Sequence, residues 1–267
     1  MLNVVFINVI NNFELYQQYI VGNKFLKTKS FIQYICFDNT KENIFISKRY
    51  NAFLDNYDFS NEAWFIFCHP DWEIMEDIEP ILEKLDKNKI YGPIGAAGNY
   101  NNIVKNKYFR VPKGYCLEIK RNGSEKKEIY DTELSGTDNI ADTLDCQALF
   151  VHSSLIKKYN LRFDENLEWD LYVEDFCINA KLKHNIETQV VKIECCHHSD
   201  TGFKEPPKSY WNMLEHVNKK YPDKIFAGTL SPIGGKKVEM ATEQEIFQAL
   251  MFNKLRNNIK KGSACCV

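Results

Sequence analysis

The sequence predicts an α/β fold of three layers around a mostly parallel central sheet. Apolar runs of strand length, such as Asn3–Ile10 (NVVFINVI) and Glu62–Cys68, alternate with segments of helical period through the first half of the chain. The segments between these runs are long enough for helical crossovers, and strand–helix–strand crossovers build parallel sheets. Of the 267 residues, 44% are hydrophobic and 13% aromatic, the composition of a folded chain with a substantial core.

Taken in order, Asn3–Ile10 reads as a buried strand and Asn11–Ile20 as a helix capped near Asn12, a favoured N-cap residue. Ser30–Phe37 is a second strand, ending at Asp38-Asn39. Ile44–Tyr57 is helical, Glu62–Cys68 is the next strand, Trp72–Leu85 contains a helix, and Tyr91–Ala97 is a strand. From Asn99 to Asp138 the chain turns polar, with basic patches and turn signals at Lys113-Gly114 and Asn122-Gly123, which predicts a hairpin or meander insertion. Asp145–His152 returns to strand and Ser153–Tyr159 to helix. A Glu174–His184 helix and a Glu187–Cys195 strand follow. Lys208–Tyr221 is an amphipathic helix stopped by Pro222, Ser231–Gly235 a loop, and Thr242–Lys260 a helix. No internal repeat or low-complexity tract is present.

Composition and motifs exclude several function classes. A net charge of −2 gives no reason to expect a nucleic-acid surface. Among the nine cysteines, Cys36, Cys68, Cys146 and Cys177 sit singly in apolar runs and read as buried thiols, and the pairs Cys195-Cys196 and Cys265-Cys266 lack zinc-site spacing. A reducing, cytoplasmic setting is expected. Met1–Ile10 has no basic leader region and reads as a first strand rather than a signal peptide. No run reaches the roughly 18 apolar residues of a spanning helix. Ala264 stands where a prenylation box needs cysteine. There is no glycine-rich phosphate loop, dinucleotide fingerprint or nucleophile elbow.

Four places could carry chemistry. The pair Glu174-Asp175 opens a helix, where carboxylates either complement the macrodipole or, facing a cleft, take a proton from a hydroxyl. His69, Asp71 and Glu73 are spaced two apart around Pro70, so they form a surface turn or offer oxygen to a hard divalent cation, which often takes only one or two carboxylates beside diphosphate oxygens. His197 and His198 end a strand. Neighbouring strand residues point to opposite faces, so at most one enters a given site, and imidazole suits a mixed O/N shell around Mn²⁺. Asp38 follows the second strand, where it caps a turn or contacts a ribose or base. Asp38 and Asp71 both fall beyond carboxyl ends of strands, where ligands bind in parallel sheets.

In combination these segments resemble a GT-A glycosyltransferase of the family 2 type, and most closely the glycosyltransferase-like domain named for a streptomycin-biosynthesis protein. The resemblance rests on His69-Pro70-Asp71 after a strand, the glycine-containing IYGPIGAAG, and Asp145-Cys146-Gln147-Ala148-Leu149-Phe150. It continues through the turn Phe163-Asp164-Glu165 and the run Leu171-Tyr172-Val173-Glu174-Asp175-Phe176-Cys177, to a strand ending in histidine. Residues 3 to 199, roughly three quarters of the chain, are covered.

This likeness implies the GT-A, Rossmann-like fold of nucleotide-diphospho-sugar transferases, with a domain over 1–205, a polar insertion at 99–140, and a C-terminal helical extension over 206–267. It implies Asp175 as catalytic base with Glu174 beside it, Asp71 as the metal-binding acid, and His198, or else His197, completing the shell of Mn²⁺ or Mg²⁺. Asp38, Asn51, His69, Asp71 and Asp145 would border the nucleotide-sugar. The partners implied are a nucleotide-diphosphate sugar donor and a glycan or other hydroxyl acceptor, in surface glycan or glycoconjugate synthesis. Cys146 departs from the small residue usual after Asp145, and the absence of Q-x-x-R-W argues against a processive synthase. A nucleotidyltransferase and a non-catalytic sugar-nucleotide-binding module are the alternatives. Lys254, Arg256, Lys260 and Lys261 are read as a solvated basic face in preference to a peripheral membrane contact.

Overall fold

A computed structural model describes residues 2–100, 107–129, 139–200, 204–237, 239–242, 244, 245 and 248. The expected helix at Thr242–Lys260 lies almost wholly outside the described residues, as do parts of the polar insertion.

Strand β1 (Val4–Ile10) is buried along its length and pairs in parallel with β2 (Ile32–Asp38) on one side and β3 (Trp64–Cys68) on the other. Between β1 and β2, Asn12 caps α1 (Phe13–Tyr16) by accepting the backbone N–H groups of Glu14 and Leu15, and a π-helical turn continues the helix to Val21. Helix α2 (Ile46–Asn56) crosses from β2 to β3. After β3 come β4 (Trp72–Ile74), the single turn α3 (Glu79–Leu82), β5 (Ile90–Gly92) and β6 (Ile94–Tyr100).

The continuous strand expected at Tyr91–Ala97 is two strands in different sheets. Pro93 stands between them and has no N–H to give a ladder. The backbone crowds there. A Cβ on Gly95 would lie 2.6 Å from the Thr143 carbonyl oxygen, and Gly114, at φ 93°, packs against the carbonyl of Pro93.

The insertion holds β7 (Tyr108–Gly114), β8 (Cys116–Ile119) and β9 (Lys126–Ile129). Next come β10 (Ile140–Ala141), β11 (Thr143–Leu144), β12 (Ala148–His152), α4 (Ser153–Tyr159), α5 (Tyr172–His184) and β13 (Thr188–Val190). The series ends with β14 (Cys195–His198), α6 (Lys208–Lys220), β15 (Phe226–Ala227) and β16 (Pro232–Ile233). The expected Glu187–Cys195 strand is thus β13 in the central sheet and the start of β14 in another, and the expected loop at Ser231–Gly235 contains β16, paired with β15.

The central sheet has seven strands in the order β10-β13-β5-β12-β3-β1-β2. Strands β2, β1, β3, β5 and β13 run one way; β12 and β10 oppose them. Alternate residues of β1 and β3 feed two cores, one on each face. Val5, Ile7, Phe65 and Phe67 pack with α2, α4, α5 and α6, whereas Val4, Phe6, Trp64 and Ile66 pack with Tyr16, Ile20 and Leu82 on the other side. These are the three layers, and each fully buried Leu, Ile or Phe contributes about 1.5–3 kcal/mol.

A four-stranded sheet, β4-β14-β8-β9, begins just past the end of β3. There β14 pairs antiparallel with β4 and parallel with β8, which places His197 opposite both Trp72 and Glu118. That register builds the site.

Candidate active site

His69, Pro70 and Asp71 leave the carboxyl end of β3 in a turn. The backbone N–H of His69 bonds the Gln147 carbonyl at 3.0 Å, and that of His198 bonds the Asp71 carbonyl at 2.9 Å. These contacts place three donor atoms together. His69 Nδ1 lies 3.4 Å from His197 Nε2, which lies 3.4 Å from Asp71 Oδ1, and ligand atoms of the three residues all fall within 4.8 Å of one another.

The outer nitrogens of both rings are tied down. His197 Nδ1 meets Glu118 at 3.2 Å, and a carboxylate can only accept, so Nδ1 carries the proton. Tyr172 donates its hydroxyl proton to the Cys146 carbonyl at 3.0 Å and therefore accepts from His69 Nε2 at 3.1 Å. The hydrogen bonds thus assign His69 the Nε2–H tautomer, with the Nδ1 lone pair aimed at the cluster. Metal-binding histidines are held in this manner, with the free nitrogen fixed by a second hydrogen bond. Two imidazole nitrogens and a carboxylate oxygen are a fitting donor set for a divalent transition-metal ion.

The electrostatics set a condition: His197 must give up its Nε2 proton before that nitrogen can ligate. Burial pushes the His69 pKa down, and His197 adds to this. Burial works against ionisation of Asp71, but His197, His69 and Arg121 outweigh it and hold the carboxyl below its usual range. For His197 burial also opposes charge, and Asp71 with Glu118 overcomes it, so its pKa lies well above the ordinary value. In this state the His197 imidazolium and Arg121, whose Nη2 is 2.9 Å from Asp71 Oδ2, compensate the cluster.

His198 stands outside this cluster. Strand alternation turns it to the opposite face, where Nε2 lies 2.8 Å from Glu73 and the ring stacks on Tyr19 at 3.9 Å between centroids. Of the two histidines, the geometry brings His197 to Asp71. Asp38 is exposed and its carboxylate closes a local turn, accepting from the Thr40 backbone and hydroxyl at 2.9 and 2.7 Å. Asn51 is buried and spends its amide within the fold, donating to the Phe163 carbonyl and Glu165 and accepting from the Phe163 N–H, each at 3.0 Å.

Helix α5 divides its acidic pair. Leu171, just before the helix, is buried with φ 62°, a conformation a branched side chain rarely adopts. The chain enters the helix from that strained residue, with Tyr172 beside His69. Consecutive helical residues lie about 100° apart. Asp175 faces the core. Its carboxylate accepts from Lys220 Nζ at 2.8 Å, the Tyr221 hydroxyl at 2.7 Å and Asn179 at 3.3 Å, and Lys220 also bonds Asp164 at 2.9 Å.

Glu174 has one neutral partner, the Thr229 hydroxyl donating to Oε1 at 3.2 Å. Among the described residues its buried Oε2 has none. Burial, then Asp145 and Asp170, push its pKa up to about 8. Burial and Asp145 likewise raise Asp170. Asp145 also acts on His69, so the carboxylates and the histidine cluster share one field, with Tyr172 linking them. Glu118, Arg121 and Thr229 are absent from the sequence reading, and Tyr172 enters it only as a member of the run that opens α5. A glutamate within the apolar strand CLEI was the available signal for Glu118.

No family model matches the chain, and no curated protein matches it. Among solved structures, GalNAc-T7 with UDP, GalNAc and Mn²⁺ is similar at a TM-score of 0.50 and 8% identity, over 84% of this chain and 49% of that one. TarS 1–349 from S. aureus in complex with UDP-GlcNAc gives a TM-score of 0.42 and 12% identity, over 78% and 60% respectively. The chain spans about half the length of GalNAc-T7. The fold is that of the GT-A glycosyltransferases.

Proposed function

We propose that the chain is a metal-dependent, inverting glycosyltransferase that moves a sugar from a nucleotide-diphosphate donor to an acceptor hydroxyl. One observation carries this reading: His69 Nδ1, Asp71 Oδ1 and His197 Nε2 converge beyond the end of β3, with both rings oriented by Glu118 and Tyr172. Similarity to a structure holding UDP and Mn²⁺ supports it, as does the resemblance to the streptomycin-biosynthesis type. Nitrogen donors favour Mn²⁺ over Mg²⁺.

A divalent ion there would supply Lewis-acid neutralisation of the charge on a leaving diphosphate, and His69, Asp71 and His197 would hold it. Glu174 is the base in this reading: its free Oε2 takes the acceptor's hydroxyl proton as the oxygen attacks the anomeric carbon. With its pKa at about 8 the group acts as base only in its ionised form, the minority form at neutral pH, and proton transfer of this kind contributes about 10²–10⁴-fold. Asp145, whose Oδ1 accepts from the Gln147 N–H at 3.0 Å, would offer its other oxygen to a sugar hydroxyl. Asp175 joins α5 to α6 and serves the fold, so it passes the base role to its neighbour. The domain is proposed to include α6, whose Tyr210 and Val217 belong to the core, so an extension separate from the domain would begin only after it. No helix among the described residues is long and apolar enough to cross a membrane. A cytoplasmic setting is proposed, in keeping with the free buried thiols of Cys68, Cys116, Cys177, Cys195 and Cys196.

The test is calorimetric titration of UDP and GDP, each with Mn²⁺ and with EDTA. Metal-dependent binding of one diphosphate is expected. Binding indifferent to EDTA removes the metal from the donor site.

A further inference from the structure

Arg121 lies in the turn between β8 and β9, and three contacts hold it at the histidine cluster. Nη2 is 2.9 Å from Asp71 Oδ2, Nε is 3.3 Å from the His198 carbonyl, and the backbone N–H is 3.2 Å from Asp200 Oδ1. Its side chain is 45% exposed and that of Asp71 only 7%, so the guanidinium covers the carboxylate from the solvent side. Asp71 divides its two oxygens. Oδ1 faces His197, and Oδ2 faces Arg121.

We propose that Arg121 is the resting counter-ion of the cluster and, once a divalent ion takes Asp71, becomes the group that binds the donor's diphosphate. This rests on the metal reading given above. A divalent ion bound to Oδ1 places two positive charges near the guanidinium, and like charges at such range repel, so the Arg121–Asp71 pair weakens as the ion binds. The contacts to His198 and Asp200 keep the turn in place while Nη2 is released. A guanidinium fork then stands at the mouth of the site, and its planar donors match the oxygens of a diphosphate in paired hydrogen bonds. Metal and diphosphate would therefore bind in order, the first exposing the receptor for the second.

The experiment uses the full chain as wild type, Arg121→Ala and Arg121→Lys. Mn²⁺ alone is titrated by the paramagnetic resonance of the free ion, and inorganic pyrophosphate is then titrated by calorimetry at saturating Mn²⁺. Arg121→Ala is expected to bind Mn²⁺ about threefold more tightly, the worth of one half-exposed ion pair. It is expected to bind pyrophosphate about tenfold more weakly, the worth of a charge-assisted hydrogen bond. Arg121→Lys, which keeps the charge without the fork, should fall between. Tighter Mn²⁺ with unchanged pyrophosphate overturns the diphosphate assignment. Unchanged or weaker Mn²⁺ binding in Arg121→Ala overturns the counter-ion role while leaving the metal site standing. If the wild type takes up no Mn²⁺, the metal reading falls and this proposal with it.

Discussion

Glu174 and Asp175 are neighbours on one helix, both buried, and they occupy opposite electrostatic worlds. Around Asp175 the charges close: Lys220 bridges it to Asp164, and the Tyr221 hydroxyl and Asn179 fill remaining acceptor positions. Around Glu174 they do not. Asp145 and Asp170 add negative charge, Thr229 offers a neutral donor, and Oε2 has no partner among the described residues. A buried carboxylate costs several kcal/mol unless paired, so the first arrangement is what stability selects. The second leaves free energy stored in an unmet demand, which a substrate can satisfy. Pairing, more than burial or position in a motif, sets the two acids apart, and it is the ground on which the base role is proposed for Glu174.

Four experiments break or sharpen that contrast. The largest effect is expected for Glu174→Gln, which keeps shape and removes the proton acceptor. Transfer should fall about 10²–10⁴-fold with Mn²⁺-dependent donor binding nearly intact, and wild-type turnover would end the base assignment. Asp175→Asn should act on stability, costing about 1–3 kcal/mol in denaturant unfolding because Lys220 and the Tyr221 hydroxyl lose a charged acceptor while Lys220 keeps Asp164. Turnover per folded molecule should survive. A variant of full stability and no activity would reverse the two roles.

Third, Glu118→Gln weakens the grip on His197 and should lower Mn²⁺ affinity about tenfold, whereas His198→Ala, on the far face, should change it less than about twofold. A larger loss from His198→Ala would return that residue to the metal shell.

The last prediction concerns pH. The Glu174 pKa is about 8 in the fold and 4.5 as a free side chain, so between these values the folded state holds a proton that the unfolded state has released. Its contribution is full below the lower value and is lost as pH rises through the window. Wild-type stability should therefore decline relative to Glu174→Gln between about pH 4.5 and 8, and parallel curves would show that Glu174 is ionised throughout.

Much of this was legible in the chain. The unbroken apolar runs of β1 and β3, the Asn12 cap and the Ser153–Tyr159 helix follow from local pattern alone, and H-P-D after a strand marked the place where His69 and Asp71 meet. Strand alternation also showed that His197 and His198 must part. Which of them faces Asp71 depends on β14 pairing with β4 and β8, contacts between segments far apart in sequence. Glu118 and Arg121 were hidden for the same reason: the insertion that carries them has no local signal that it pairs alongside β14. The split of Glu187–Cys195 into two strands is similar, since apolar residues continue while the chain changes sheets.

Asp71 and His197 belong to segments far apart in the chain, and His69 and His197 are separated by 128 positions. An ion gripping these residues would act as a reversible cross-link over nearly half the sequence, closing a loop that the unfolded chain leaves open. Because that grip exists only in the folded state, saturation at a hundred times the dissociation constant would add about 2.7 kcal/mol to the fold. The supply of one ion would then govern how long the protein survives a protease as well as whether it turns over.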